Sequence, residues 1–116
     1  MAVTSLPQDS VIRLQVKGSG RGGRNQELAL AGLKAIGNHE NIVLLAAGTD
    51  GIDGNSDAAG AVADAMGYQA AQQRGITIDT YLDNNDANGF FQATGGLINT
   101  GPTGTNVMDI VIILVK

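Results

Sequence analysis

Two arginines stand in a run of glycines at residues 18–27, Gly-Ser-Gly-Arg-Gly-Gly-Arg-Asn-Gln-Glu. Glycine permits positive φ and close backbone approach, and arginine presents a planar fork of donors that suits carboxylate or phosphate. A glycine loop opening into a helix also offers unpaired N–H groups at the positive end of the helix dipole. Arg21, Gly22, Gly23, Arg24 and Asn25 are therefore candidates for holding a small anionic ligand, phosphorylated or carboxylated. Two further stretches carry related chemistry. Residues 48–57 place Asp50, Asp53 and Asp57 after an apolar run, where open α/β sheets bind ligands. Asp50 and Asp53 are hard oxygen donors of the kind magnesium takes, although turn and N-cap chemistry accounts equally for Asp53 and Asp57. In residues 101–106, Thr103, Gly104, Thr105 and Asn106 offer hydroxyls, an amide and a bend stiffened by Pro102. That stretch reads either as a backbone nest for an oxyanion or as a tight connection to the last strand.

Other chemistries fit less well. Gly18, Gly20 and Gly23 spell GxGxxG, but a dinucleotide fingerprint wants an acid about 20 residues on, and Asp50 stands further away. Gly18 and Gly23 also have Walker spacing, yet Arg24-Asn25 replaces the Lys-Ser/Thr that meets phosphate and magnesium. Ser19 has no histidine placed to activate it, and His39, amid Asn38, Glu40 and Asn41, reads as a solvated turn residue. Without cysteine there is no disulfide, thiol nucleophile or Cys–metal centre. A net charge of −4, with two Tyr and two Phe, argues against nucleic acid as a partner. No apolar run approaches the ~18 residues of a membrane span, and no signal-peptide pattern opens the chain, so a cytoplasmic protein with no membrane partner is expected.

The elements that must position these loops follow from the pattern of apolar residues. The 116 residues are 43% apolar and 16% charged, enough for one globular core. Residues 1–10 read as an N-terminal extension and 11–116 as one α/β domain, without an internal repeat or linker. Residues 11–16 alternate, with Ile12, Leu14 and Val16 on one face of a strand. Residues 25–36 make a helix with a Leu30, Leu33, Ile36 stripe, stopped by Gly37-Asn38. Residues 41–47 form a continuous apolar run, as in a parallel strand buried on both faces. The alanine-rich stretch from Asn55 or Ser56 to about Arg74 reads as a second helix, and 76–78 as a short extended piece. A short helix carries Phe90 and Phe91 as core residues and ends at Gly95-Gly96. A short strand at 97–100 and an apolar strand at 107–115, again buried on both faces, complete the chain. The order predicts a three-layer α/β/α sandwich around a small mixed, largely parallel sheet.

Three segments, GGRNQELAL at 22–30, LAAGTDGIDGNSDAAGAVAD at 45–64 and TGPTGTNVMDI at 100–110, occur in the order found in a known family. Together they resemble the C-terminal MOFRL domain of the glycerate 2-kinase family, often labelled hydroxypyruvate reductase, over about residues 11–116. The resemblance implies an ATP-dependent kinase acting on the 2-hydroxyl of D-glycerate, with a cleft between this domain and a larger N-terminal one. It implies that Arg24 faces the cleft and binds or stabilises the phosphoryl group. It also implies that Asp50, Asp53, Thr103, Thr105 and Asn106 lie near the same cleft. ATP and Mg2+ belong to the family context, with neither expected to be held tightly by this chain alone. An isolated chain is expected to be inactive and to pair with an N-terminal kinase domain or with itself. The second reading is a free-standing, non-catalytic binding or assembly module. The sequence departs from the family in having Asp9-Ser10-Val11 near the usual acidic GGE segment, and Met108 where a polar residue is more usual.

Overall fold

The computed structural model describes residues 18–105 and 108–116. The extension at 1–10, the strand expected at 11–16 and the candidate Asn106 lie outside the described residues. The elements run α1 (Arg24–Ile36), β1 (Ile42–Gly48), β2 (Gly60–Asp64), α2 (Ala65–Gln73), α3 (Ile78–Asp83), α4 (Ala87–Thr94), β3 (Leu97–Ile98) and β4 (Asp109–Val115). Good helix formers carry α1, with Glu27 in its first turn and Lys34 in its last, each complementing the helix dipole.

The strands form one four-stranded sheet in the order β3-β2-β1-β4. Every pairing in it is antiparallel, so the largely parallel sheet expected from the apolar runs is corrected. The physical reason lies in the connection from β1 to β2. A parallel neighbour needs a crossover, usually a helix. Here residues 49–59 simply turn back, closed by Gly48 N–H to Ala59 O at 2.8 Å and Asp53 N–H to Ala58 O at 2.8 Å.

The helix expected from residue 55 or 56 onward is likewise corrected: its first part is strand β2, and only 65–73 is helical. Alanine and glycine favour no alternation that sequence alone would reveal, but the ladder partners decide the outcome. Ala61 and Ala63 point into the core opposite Ala46 and Leu44, and their small side chains let α1 lie close against the sheet. The Asp64 side chain then accepts from Gly67 N–H and starts α2. The extended piece expected at 76–78 also gives way, because Ile78 begins α3.

Helix α1 packs on β1 and β2 and also touches α2, α3 and α4, so the described helices form one layer on one face of the sheet. The core between them holds Leu30, Leu33, Ile36, Leu44, Phe90 and Phe91. Tyr81 stands edge-on to Phe90, and Phe90 to Phe91, with centroids 5.7 and 5.3 Å apart. The expected second helical layer is not present among the described residues. Nor is β4 buried on both faces: most of its side chains are exposed.

Gly60 sits where a Cβ would overlap the Ala46 carbonyl oxygen of the neighbouring strand. Gly60→Ala should therefore force the β1–β2 ladder apart and cost about 1–3 kcal/mol, read as a lowered urea midpoint with native-like circular dichroism before the transition.

Candidate functional site

Three loops meet at one end of β1. Asp53, on the loop after β1, is buried and reaches back to the start of α1. Its Oδ1 accepts the Asn25 N–H at 3.1 Å and the Asn25 side-chain amide at 3.2 Å. Its Oδ2 accepts the Gln26 N–H at 2.8 Å and Gln26 Nε2 at 3.0 Å. The local N-cap, Gly23, has no side chain to do this, and a Cβ there would overlap the Asp53 carboxyl carbon. A carboxylate from a distant loop thus caps the helix that its own sequence leaves uncapped.

A buried polar chain supports that cap. Gln26 Nε2 also donates to Ser56 Oγ at 2.7 Å, and Asn88 Nδ2 donates to Gln26 Oε1 at 2.9 Å. Ser56 Oγ donates to the Asp53 carbonyl at 2.9 Å, and Gln92 Nε2 to Asn88 Oδ1 at 2.9 Å. Helix α4, the aspartate loop and α1 are therefore joined by paired donors and acceptors, as buried polar groups require.

The glycine loop is bound to the protein rather than left open. Gly18 N–H donates to Asn85 Oδ1 at 2.8 Å, Gly20 N–H to Asn84 O at 2.9 Å, and Arg21 N–H to Asp86 Oδ1 at 3.1 Å. Gly22 N–H donates to Asn55 Oδ1 at 2.8 Å, and Asn55 N–H returns to Gly22 O at 3.0 Å. The expectation that the loop and the helix start offer their N–H groups to an anion is narrowed: asparagine and aspartate acceptors already use those of Gly18, Gly20, Arg21, Gly22, Asn25 and Gln26. Gly22, Gly23 and Asn25 build the site's frame.

The arginine side chains diverge. Arg24 pairs with Asp109 at the start of β4, through Nε to Oδ2 and through Nη2 to Oδ1 at 3.0 Å. Asn25 Nδ2 donates to the same Asp109 Oδ1 at 3.2 Å. Arg24 remains 73% exposed on its side chain, and this two-point grip leaves Nη1 free of recorded partners among the described residues. The hydrogen bond from Arg24 holds the Asp109 carboxyl below the usual carboxylate range, against the effect of desolvation, and Asp109 raises the Arg24 guanidinium further. Arg21 lies 4.0 Å from Asp57 and lines a separate groove of about 520 Å³ with Asn88, Phe91, Gln92 and Asn99.

The third loop is tied to the second. Thr103 N–H donates to Asp50 O at 3.1 Å, and Thr103 Oγ1 to Thr49 O at 2.6 Å. Thr105 N–H donates to Thr103 Oγ1 at 3.2 Å, so this segment is stiffened from within, with Gly104 between them at positive φ. Asp50 Oδ1 accepts the Ile52 N–H at 3.1 Å.

The structure thus brings Arg24, Asn25, Asp50, Asp53 and Thr103 to one end of the sheet and sets Arg21 apart. Sequence reasoning gave no site role to Asp109 or to the buried Gln26, Ser56 and Asn88, and placed Ser56 at a start of the second helix. For Asp109 a signal existed, because it is the single acid heading the apolar run 110–115. Magnesium fits poorly on these residues. Both Asp53 oxygens are occupied by N–H donors and both Asp109 oxygens by Arg24 and Asn25. No cluster of three or more His, Cys, Asp or Glu suited to a metal occurs among the described residues. The expected metal role of Asp53 gives way to capping, and no step below is routed through magnesium.

Glu27 is buried, and its Oε1 has no hydrogen-bond partner among the described residues. Burial pushes its carboxyl up to about 7, opposed by hydrogen bonds from Ala87 and Asn85 and reinforced by the charges of Asp53 and Asp86. No helix of the described residues is long and apolar enough to cross a membrane.

The fold and the three joined loops define a small α/β domain that presents a braced arginine beside acids and hydroxyls at one end of its sheet. Residues 11–109 match the model of the MOFRL family, and the chain belongs to that family. It is 46% identical to a D-glycerate 2-kinase of Thermotoga maritima, a match covering 88% of this chain and 24% of that protein. It is 39% identical to a glycerate 2-kinase of Pyrococcus horikoshii, over 92% of this chain and 24% of that one. A glycerate kinase of Homo sapiens is 49% identical, over 83% of this chain and 20% of its own length. The crystal structure of a glycerate kinase from Thermotoga maritima superposes with a TM-score of 0.84 at 46% identity, covering 87% of this chain and 24% of that one. The chain therefore spans about a quarter or less of the relatives it matches.

Two outcomes follow for this network. Asp53→Ala strands the N–H donors at the start of α1 and in the Gln26 amide, and should cost about 3 kcal/mol or more in urea unfolding. Glu27 has a folded-state pKa of about 7 against an ordinary 4.5, so the native state holds its proton more tightly. Its contribution to stability is complete below pH 4.5 and is lost as pH rises through 7. Glu27→Gln should flatten that decline and exceed the parent in stability at pH 8, as read from unfolding midpoints across the pH range.

Proposed function

We propose that this chain supplies one wall of the active cleft of a glycerate 2-kinase-type phosphotransferase, which converts ATP and D-glycerate to ADP and 2-phosphoglycerate. The observation that carries this reading is the bracing of Arg24: Asp109 fixes one edge of the guanidinium and leaves the other exposed at the meeting of the three loops. The names of the curated relatives support the choice of substrate.

In phosphoryl transfer the protein's task is chiefly positioning and charge stabilisation, because charge spreads over the oxygens of the moving group. The free N–H groups of Arg24 suit those oxygens. A guanidinium already held by Asp109 and Asn25 needs little reorganisation when that charge develops. Asp50 and the Thr103 hydroxyl flank the same end of the sheet, and Thr103 locks the Asp50 backbone in place. Arg21, in its own groove beside Asp57, is set back from this centre. ATP is a substrate in this reading. Its binding and the rest of the cleft belong to the larger part of the protein, so the 116-residue chain alone is inactive.

In the full-length protein, Arg24→Ala should lower kcat about 100-fold or more, the usual effect of losing a donor to developing charge, in a coupled assay of ADP release. The fold should stay intact, because the Arg24 side chain is exposed. Turnover by the isolated chain would overturn the half-site reading.

A further inference from the structure

The register of the sheet sorts its side chains onto two unlike faces. On the face toward α1 lie Leu44, Ala46, Ala61 and Ala63, all buried in the core. On the other face Leu114, Val43 and Asp64 stand in one row across the strands, and Ile112, Leu45 and Val62 in the next. A third row runs Ile110, Ala47, Gly60, Ile98. None of these residues belongs to the core cluster or packs against it. Ile110, Ile112 and Leu114 are 40%, 40% and 41% exposed. The described helices gather around α1 on the opposite side.

An antiparallel sheet that meets water on one face alternates apolar and polar residues along its strands. This sheet does not: six aliphatic side chains, Val43, Leu45, Val62, Ile110, Ile112 and Leu114, adjoin across three strands, and the one charge, Asp64, sits at a strand end. Single exposed aliphatic residues are ordinary, whereas contiguous ones mark a surface made to be covered. The chain accounts for 24% of the length of its Thermotoga relative and 20% of its human one, so most of such a protein lies outside it.

We propose that this face is the docking surface for an uncharged, aliphatic surface contributed by the remainder of the full-length protein. The docked body forms the second layer over the sheet. The inference rests on the reading that the chain is one part of a longer kinase. It concerns a different surface from the cleft, since Asp109 and Arg24 lie on the α1 side of the sheet. Asp64, the one charge on the face, sits at a strand end and is used to cap α2, so the partner is selected by apolar shape, with little dependence on salt. The chain would thus be anchored by the back of its sheet while its α1 side faces the reacting groups.

The test compares Ile112→Lys in the 116-residue chain and in the full-length protein encoded by its natural reading frame. The milder Ile110→Thr guards against a variant that fails to fold. The expected result is a Tm almost unmoved in the isolated chain, where none of the described helices covers the face, and lowered by several degrees in the full-length protein. Equal responses in the two contexts overturn the proposal, as does a reading frame with no further domain. If the isolated chain dimerises, Ile112→Lys makes it monomeric and the full-length protein ignores the change, the face belongs to a second copy and the proposal falls. Glycerate phosphorylation by the unsubstituted full-length protein, measured alongside, reads the kinase assignment separately. An active enzyme with an insensitive face refutes the docking alone, and an inactive protein with a sensitive face supports the docking and refutes the kinase assignment.

Discussion

The Asp53 carboxylate holds the start of α1 from a loop 28 residues further along the chain. Helix starts leave N–H groups without partners, and a buried end must find acceptors for them. Here both oxygens of one buried side chain do so, and the Gln26 amide turns the same acid into the hub of a chain through Ser56 and Asn88 to α4. Three consequences come from this one placement. The helix begins at a fixed point, Gly23 must be bare to admit the carboxyl group, and Arg24 emerges from the first turn in a fixed direction toward β4. The loops around it then share acceptors rather than compete for a ligand.

That arrangement divides the polar residues into a frame and a face. Asn25, Gln26, Asp53, Asn55, Ser56 and Asn88 spend their hydrogen-bonding capacity on one another, on Asp109 and Gln92, or on backbone. Arg24 keeps an exposed edge, because Asp109 grips it from one side. An arginine on a slack glycine loop would sample many rotamers and lose entropy on binding an anion. Held by a bidentate carboxylate, Arg24 is already aligned and has less freedom to lose.

Much of this was legible in the sequence and some was not, for reasons that can be located. The extent of α1, the apolar strands β1 and β4, and the short helix with Phe90 and Phe91 follow from periodicity and stop signals. Strand β2 was hidden because alanine carries a helical propensity and no visible alternation, so only its ladder with β1 reveals which residues face inward. The antiparallel sheet was hidden because an apolar run reports burial, not direction. Around the site, the glycines and arginines drew attention to 18–27, but spacing says nothing about which N–H groups are already occupied. Asp53 stood out as an acid, although its partner is a helix start on the other side of β1. Asp109 passed unnoticed within a strand whose aliphatic residues dominate the pattern.

The order β3-β2-β1-β4 places the last strand beside the first described one, with Asp109 paired to Gly48. Arg24 and its brace are thus 85 residues apart in sequence. A growing chain exposes the arginine early and the aspartate late, so α1, β1 and β2 have no means of fixing that guanidinium until β4 has been made and added to the edge of the sheet. The orientation of the Arg24 guanidinium consequently depends on a residue from the far end of the chain. A polypeptide ending before residue 109 lacks both the carboxylate that grips Arg24 and the strand that pairs along β1, so the brace and the edge of the sheet are lost together.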